Sequence, residues 1–448
     1  MEANRVLGTA LSRRQFVGAG SLAALGALSG LSLPQLAFAQ GAGGEAARRW
    51  PGVANMVRSY VGDGRVANMV VALGMGPGDP EVIAMGNTSF ASGIAADADS
   101  LYRIYSMTKP ITGMATFACI EEGWLELDQP IADILPAFAR MQVQKVYDGP
   151  ITPDNLEPAT RPLTVRHCLT HTAGLGYSIV QQGPLSDAYT AAGLVPGLVT
   201  RMENVPAFRG TPVGNLALFA DRLAEMPLVA QPGTRWVYSV GLDLLGRVIE
   251  VVTGKSFDRF LKERFFDPLG MNSTFFQVPL TQAHRFTANY FLLNGMLVPI
   301  DLPDSSVYLG PPPFPFGGAG LVSSARDYDR FLAMIAGRGT VDGVTVLDRS
   351  SVEQATSDLM PDTLAPDGGF SSGGRDFGYG AGGLVGRGDA AGLFGWFGAA
   401  GTCGLVDMNS GLRHTLMTQY MPSMEYSVQN DFPLVVAADA AALASRRS

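Results

Sequence analysis

Ser106 and Lys109 are the residues whose types and spacing first suggest covalent chemistry in this chain. They open and close a Ser-Met-Thr-Lys run, three positions apart, ahead of apolar residues at Ile111, Met114, Ala115, Ala118 and Cys119. That pattern predicts a helix from about Ser106 to Glu122 with Gly123 as its stop. Pro110 falls near the first turn, where a missing N–H costs least. On such a helix the Ser106 and Lys109 side chains share a face and can touch. A serine hydroxyl is a poor nucleophile until a neighbour takes its proton. A desolvated lysine can do so, and the helix dipole favours negative charge developing at Ser106. Taken alone, the spacing is common, and an exposed helix turn accounts for it equally well.

The surrounding segments raise its weight. Leu101 to Pro110, with Ser106-Met107-Thr108-Lys109 inside it, resembles the nucleophile segment of the serine β-lactamase-like superfamily. Four further segments agree in order. Leu169-Thr170-His171-Thr172-Ala173-Gly174-Leu175 resembles the family's Leu-Thr-His-Thr-Ser-Gly-Leu stretch. Pro232-Gly233, Tyr238-Ser239-Val240 and Leu245-Gly246 resemble its second catalytic segment. Gly317 to Ser324 resembles a Gly-Gly-x-Gly-Leu-x-Ser run, and Trp396-Phe397-Gly398-Ala399 stands where the third motif belongs. The resemblance spans about 50 to 420 and points most closely to family VIII carboxylesterases, relatives of class C β-lactamases and D,D-peptidases.

The resemblance implies roles residue by residue. Tyr238 matches the catalytic tyrosine and would form one base unit with Lys109. The backbone N–H groups of Ser106 and Ala399 would hold the oxyanion, and Tyr105, Trp396, Phe397 and Gly398 would line the substrate site. No cofactor and no metal is implied. Two departures separate esters from lactams. Class C enzymes carry Tyr-x-Asn where this chain has Val240, and Lys-Thr-Gly where it has Trp396-Phe397-Gly398. Neither replacement can supply a charge-assisted hydrogen bond to a lactam. An aromatic wall suits neutral, apolar acyl or alcohol groups, so a small carboxylic ester is the expected substrate. Acyl transfer to another alcohol, β-lactamase or peptidase action, and a binding remnant without turnover are the competing readings.

Three other features need weighing. Gly369-Phe370-Ser371-Ser372-Gly373 fits Gly-x-Ser-x-Gly, which works only on a strand-to-helix elbow. Its neighbours Ala365-Pro366-Asp367-Gly368 and Gly374-Arg375-Asp376 instead predict a flexible loop. His167, Cys168 and His171 sit at a metal-like spacing with no further cluster to complete a site, so they are read as a packed helix end. The proline run Gly310 to Phe316 is either a stiff wall of the pocket mouth or a surface connection.

The elements that must position these residues follow from periodicity. Val66–Met75 and Val82–Ser89 read as strands around a Gly/Pro turn. The stretch from about 124 to 340 reads as helical with long connections, with clear helices at Val240–Thr253 and Phe257–Phe265. Beyond 375 strands are expected at Gly378–Val385, Gly392–Asp407 and Leu412–Met421, and an apolar helix over Phe432–Ala444. Strands at both ends around a helical middle suggest an α/β (α+β) domain with a helical insertion. The resemblance makes this β-lactamase/transpeptidase-like, an antiparallel sheet flanked by helices. The expected division is 49–105 with 325–448 as the α/β domain and 106–324 as the mainly helical one.

Ser12-Arg13-Arg14-Gln15-Phe16-Val17, the apolar Gly18–Leu33 run and Ala37-Phe38-Ala39 read as a twin-arginine signal peptide over 1–39. A periplasmic or secreted location follows as the expectation, with 40–48 a flexible tether and no stable membrane insertion after cleavage. The 448 residues are 47% hydrophobic and 16% charged, enough for a large core. A net charge of −8 argues against nucleic acid as a partner, since that requires a basic stripe. Cys119, Cys168 and Cys403 are too few and scattered for a disulfide framework and read as reduced and packed.

Overall fold

The structure, a computed structural model, describes residues 43–446 apart from Pro77, Pro196, 203–209 and Gly373. The twin-arginine segment and its cleavage site lie outside the described residues. The expected tether does not hold over its second half. Helix α1 (Gly43–Arg49) begins there and buries Ala46, and its Arg49 pairs with Glu81 at 2.7 Å. A Gly-rich run was a poor guide because Glu45 to Arg49 is a helix-favouring sequence with one apolar contact to make.

Helix α2 (Pro51–Gly62) leads into strands β1 (Asn68–Met75) and β2 (Glu81–Gly86). The other strands of the main sheet come from the far end of the chain. These are β3 (Phe370–Ser372), β4 (Arg375–Tyr379), β5 (Leu384–Val385), β6 (Leu393–Phe397), β7 (Cys403–Asp407) and β8 (Leu412–Met417). They form one eight-stranded sheet in the order β3-β4-β5-β6-β7-β8-β1-β2, antiparallel throughout. β1 lies between β8 and the edge strand β2, paired as Val70 with Met417 and with Ala84, and all its residues but Met75 are buried. A strand covered on both faces cannot show the alternation of a half-solvated one.

Helix α3 (Thr108–Glu121) follows a single 3₁₀ turn over Tyr105–Met107, close to the predicted limits. The excursion from the sheet starts and ends on adjacent strands, because Arg103 pairs with Val322 and Tyr102 with Ser323. Within it lies helix α4 (Gly241–Thr253), which packs on α3. The stretch 124–340 is less helical than expected. Asn289–Leu293 and Met296–Asp301 form a hairpin, joined in parallel by Tyr420–Met421. Its turn, Asn294 and Gly295, puts both residues at positive φ, the signature of a two-residue hairpin turn. Helix α5 (Ala325–Ala336) then covers β1, β7 and β8. Helix α6 (Val428–Ser445) closes the chain against α2, and the Asp439 carboxylate accepts from Gly52 N at 3.1 Å and Val53 N at 3.0 Å. A carboxylate at that N-terminus satisfies orphan donors and meets the positive end of the dipole.

Two buried ion pairs tie the layers. Arg103 Nε reaches Asp301 at 2.7 Å, joining the segment before Ser106 to the small sheet. Arg413 Nε on β8 reaches Asp329 of α5 at 2.9 Å. Cys119, Cys168 and Cys403 are free and buried. Phe314 and Phe316 of the proline run are buried and packed on each other, with ring centroids 4.0 Å apart, so that segment is anchored from within.

His414 on β8 is paired across the sheet with Leu73 and Leu405, and neither ring nitrogen finds a hydrogen-bond partner. Burial pushes its imidazole down to about 4. The folded chain keeps His414 neutral while the unfolded chain takes up a proton below about 6.5. The stability it carries is therefore present above that pH and lost as the pH falls towards 4. His414→Leu is expected to shrink the fall in Tm between pH 7 and pH 5 in scanning calorimetry. A fall of unchanged size would assign the acid sensitivity elsewhere.

Candidate active site

The site is built where the start of α3, the start of α4, the β6 strand and the 317–321 segment meet. Tyr105 has φ 42°, the left-handed region, although it carries a side chain. Such a conformation costs about 1–3 kcal/mol and persists only where the surroundings hold it. Here the Tyr105 ring is buried among Val199, Phe291, Ile300, Ala400 and Met421, and its hydroxyl accepts from Asn289 Nδ2 at 3.0 Å. The turn delivers Ser106 to the mouth of α3. Thr108, Lys109 and Thr112 then stitch α3 to the glycine run. Leu321 N donates to Thr108 Oγ1 at 3.2 Å, and Thr112 Oγ1 donates to Gly317 O at 2.7 Å.

Lys109 is wholly buried. Its Nζ donates to Ser106 Oγ at 3.1 Å and to Gly318 O at 2.7 Å. The same nitrogen lies 4.6 Å from the centre of the Tyr238 ring and 5.7 Å from that of Tyr177. Tyr238, three residues before α4, donates its hydroxyl to Ser106 Oγ at 2.8 Å. Ser106 Oγ is thus within proton-transfer reach of both an amine and a phenol, the constellation an activated nucleophile needs. Trp396 Nε1 reaches Tyr238 OH at 3.4 Å, and its ring packs on Tyr379 and Phe370. Phe397, next on the strand, faces the other way as the β pleat requires.

Ala399 follows β6 in a tight turn. Gly398 N donates to Thr402 O at 2.8 Å and Gly401 N to Gly398 O at 3.2 Å, which closes the turn without using the Ala399 N–H. Only glycine fits at 398, since a Cβ there would stand 2.0 Å from Thr402 Oγ1 and 2.6 Å from Ile104 O. Ile104, two residues before Ser106, is thereby held against this turn.

Of the residues named from the sequence, Ser106, Lys109, Tyr238 and Trp396 come together. Tyr105 and Ala399 sit in one apolar cluster beside them. Tyr105 lies almost wholly within that cluster, so its ring is a wall rather than an open contact surface. Ser371 lies outside the constellation. The predicted loop is in fact the hairpin β3–β4, with Ser371 opposite Asp376, and no helix follows it, so no elbow exists. His167 takes part in a capping box with Thr164 at the head of Val165–Leu169. Among the described residues, no group of three His, Cys, Asp or Glu side chains could hold a metal ion.

Three contributors escaped the sequence reading. His171 Nδ1 accepts from Ser239 N at 3.2 Å, and its ring stands 4.7 Å from that of Tyr238. Burial and the nearby Lys109 ammonium hold this imidazole well below its usual value, so it is neutral and braces the tyrosine segment. Tyr177 packs on the other side of Tyr238 at 5.6 Å. Asp243, in the first turn of α4, accepts from Gly318 N at 2.9 Å through Oδ1, while Oδ2 is buried without a partner. The signal for Asp243 was present: a lone acid inside the apolar run Leu242 to Leu245.

Fold and site together define a serine hydrolase or acyltransferase of β-lactamase architecture. The chain belongs to the β-lactamase family, whose family model matches residues 53–438. It is 32% identical over 362 residues to Protein Rv1367c of Mycobacterium tuberculosis, covering 77% of this chain and 83% of that one. It is 30% identical over 342 residues to Esterase EstB of Burkholderia gladioli, covering 71% of this chain and 77% of the esterase. Among solved structures, EstCE1, described as a hydrolase with promiscuous acyltransferase activity, superposes with a TM-score of 0.69 at 21% identity. That match covers 88% of this chain and 99% of EstCE1, and it shows the shared fold.

Burial raises the Asp243 carboxyl to about 6 despite the opposing pull of Lys109. Because the folded-state value is raised, the stability gained from the protonated acid is lost as pH climbs through about 6. Asp243→Asn is therefore expected to raise Tm at pH 8 while slowing ester turnover roughly tenfold, since the charge facing Lys109 is gone. A lower Tm at pH 8 would show that the carboxylate stabilises the fold after all.

Proposed function

We propose that the protein is a carboxylesterase that cleaves small esters through an acyl-enzyme on Ser106. Ser106 Oγ attacks the ester carbonyl carbon as its proton passes to the Tyr238–Lys109 unit, which takes it up in the form that has lost one of the two protons it directs at Ser106 Oγ. The tetrahedral oxyanion is held by the backbone N–H groups of Ser106 and Ala399. The C–O bond to the alcohol then breaks, the alcohol leaves with the proton held by the base unit, and the acyl group stays on Ser106. Water, deprotonated by the same unit, attacks the acyl carbonyl and releases the acid. What carries the reading is the position of Ser106 Oγ, 3.1 Å from Lys109 Nζ and 2.8 Å from Tyr238 OH, in a buried setting.

The choice of ester over lactam is supported by Trp396 and Val240. Trp396 presents an aromatic ring where lactam-cleaving relatives place a lysine, and the buried Val240 replaces their asparagine. Similarity to Esterase EstB adds weight. Acyl transfer is a second reading, favoured by the likeness to EstCE1, a hydrolase described with promiscuous acyltransferase activity. We also propose export through the twin-arginine segment, which would place the enzyme in the periplasm or outside the cell.

With p-nitrophenyl butyrate, Ser106→Ala is expected to lose at least ~10³-fold in kcat/KM, and Ser371→Ala to stay within twofold. A panel of esters, lactones and β-lactams, read by intact mass, is expected to add one acyl group on Ser106 with esters and little with nitrocefin. Full turnover by Ser106→Ala sinks the mechanism, and efficient nitrocefin cleavage sinks the preference for esters. Adding methanol and comparing transester with free acid separates transfer from hydrolysis. Replacing Arg13 and Arg14 by lysine is expected to keep the uncleaved chain in the cytoplasm, and undiminished export would refute the twin-arginine route.

A further inference from the structure

The β6–β7 turn that carries Ala399 has a support from a distant part of the chain. Gln429 is the second residue of α6, buried, and 31 positions beyond Gly398 in sequence. Its Nε2 donates to Gly398 O at 2.7 Å and to Thr402 O at 2.7 Å. An amide NH₂ has two hydrogens, and both are spent here on the two ends of one turn. Gly398 N also donates to Thr402 O, so the three groups form a closed cross-brace.

The consequence lies in the geometry of a single peptide unit. The carbonyl of Gly398 and the N–H of Ala399 belong to the same planar trans group and point in opposite directions. A grip on the oxygen therefore sets the direction of the N–H. The close approach of Ile104 O to Gly398 fixes the same unit relative to the chain entering Ser106. We infer that Gln429 is a positioning residue for the oxyanion site, aiming the Ala399 N–H by holding the Gly398 carbonyl from behind. The inference rests on the oxyanion roles proposed above for Ser106 and Ala399. Gln429 belongs to none of the sequence segments that pointed to the site, and it touches no reacting atom.

The role makes a demand that simple packing would not. Gln429→Met keeps the size and removes both donors, leaving the Gly398 and Thr402 carbonyls only their bonds within the turn, from Gly401 N and Gly398 N, and loosening the orientation of the peptide. Loss of a whole oxyanion donor costs ~10²–10³ in rate, so a misaimed one is expected to cost ~10–10² in kcat. KM for p-nitrophenyl butyrate should stay within about threefold, because the ground-state ester does not need the aimed N–H. An aryl boronic acid, which becomes tetrahedral on Ser106, should lose affinity by the same factor as kcat. Gln429→Asn keeps two donors on a shorter arm and is expected to fall between the two, which supplies a reading if Gln429→Met does not fold. Unchanged kcat and boronate affinity in the folded variants, or a fall in kcat without a fall in boronate affinity, overturns the inference. Failure of a fluorophosphonate probe to label Ser106 in the unmodified enzyme overturns the nucleophile reading itself, and is told apart from the first outcome by that labelling.

Discussion

The charge of Lys109 is the constraint around which the site is built. An ammonium with no exposed surface has given up its hydration, and a protein tolerates that only when hydrogen bonds and opposing charge replace the water. Ser106 Oγ and Gly318 O supply the hydrogen bonds, the faces of Tyr238 and Tyr177 supply the negative side of two π systems, and Asp243 supplies the countercharge behind Gly318. The partners come from four stretches of the chain. Placing them therefore requires α3, α4, the 173–177 segment and the glycine run to be docked with little freedom. The glycines follow from this, since a Cβ on Gly318 would stand 2.6 Å from Asp243 Oδ2.

Such a site is held at a cost to the fold. Tyr105 sits in the left-handed region, and the Asp243 charge is held against a burial cost that raises its carboxyl to about 6. Asp243 Oδ2 and His171 Nε2 are buried without partners. The compensation is found away from the reacting atoms. The Arg103–Asp301 and Arg413–Asp329 pairs, the Asp439 cap on α2 and a core running through both faces of the sheet make the surroundings stiff enough to hold the strain.

Much of the chemistry was legible in the order of residues. Ser106 and Lys109 are close in sequence and share a helix, so their contact follows from local geometry alone. Helices α3 and α4 and the strand pairs near both ends were legible for the same reason, because periodicity is a local property. Errors arose where local composition and tertiary contact disagreed. The glycines of 40–44 suggested a tether, but Ala46 had a core to enter. The glycines around Ser371 suggested a loop, but β4 offered an edge to pair with. The 289–301 hairpin was legible in its Asn294-Gly295 turn but fell within a stretch read as helical. Its pairing with Tyr420–Met421, over a hundred residues away, leaves no local trace.

From its sequence alone the chain determined the pair Ser106–Lys109, the order of its motifs and the absence of a lysine at the Trp396 position. These depend on residue identity and short spacing. Only the tertiary structure decided that Tyr238, 132 positions from Ser106, brings its hydroxyl to within 2.8 Å of the same oxygen. It also decided that Asp243 faces a buried amine and that Gln429 grips the peptide of Ala399. Those contacts depend on how helices and strands dock, and docking is set by the whole core at once rather than by any stretch that forms part of it.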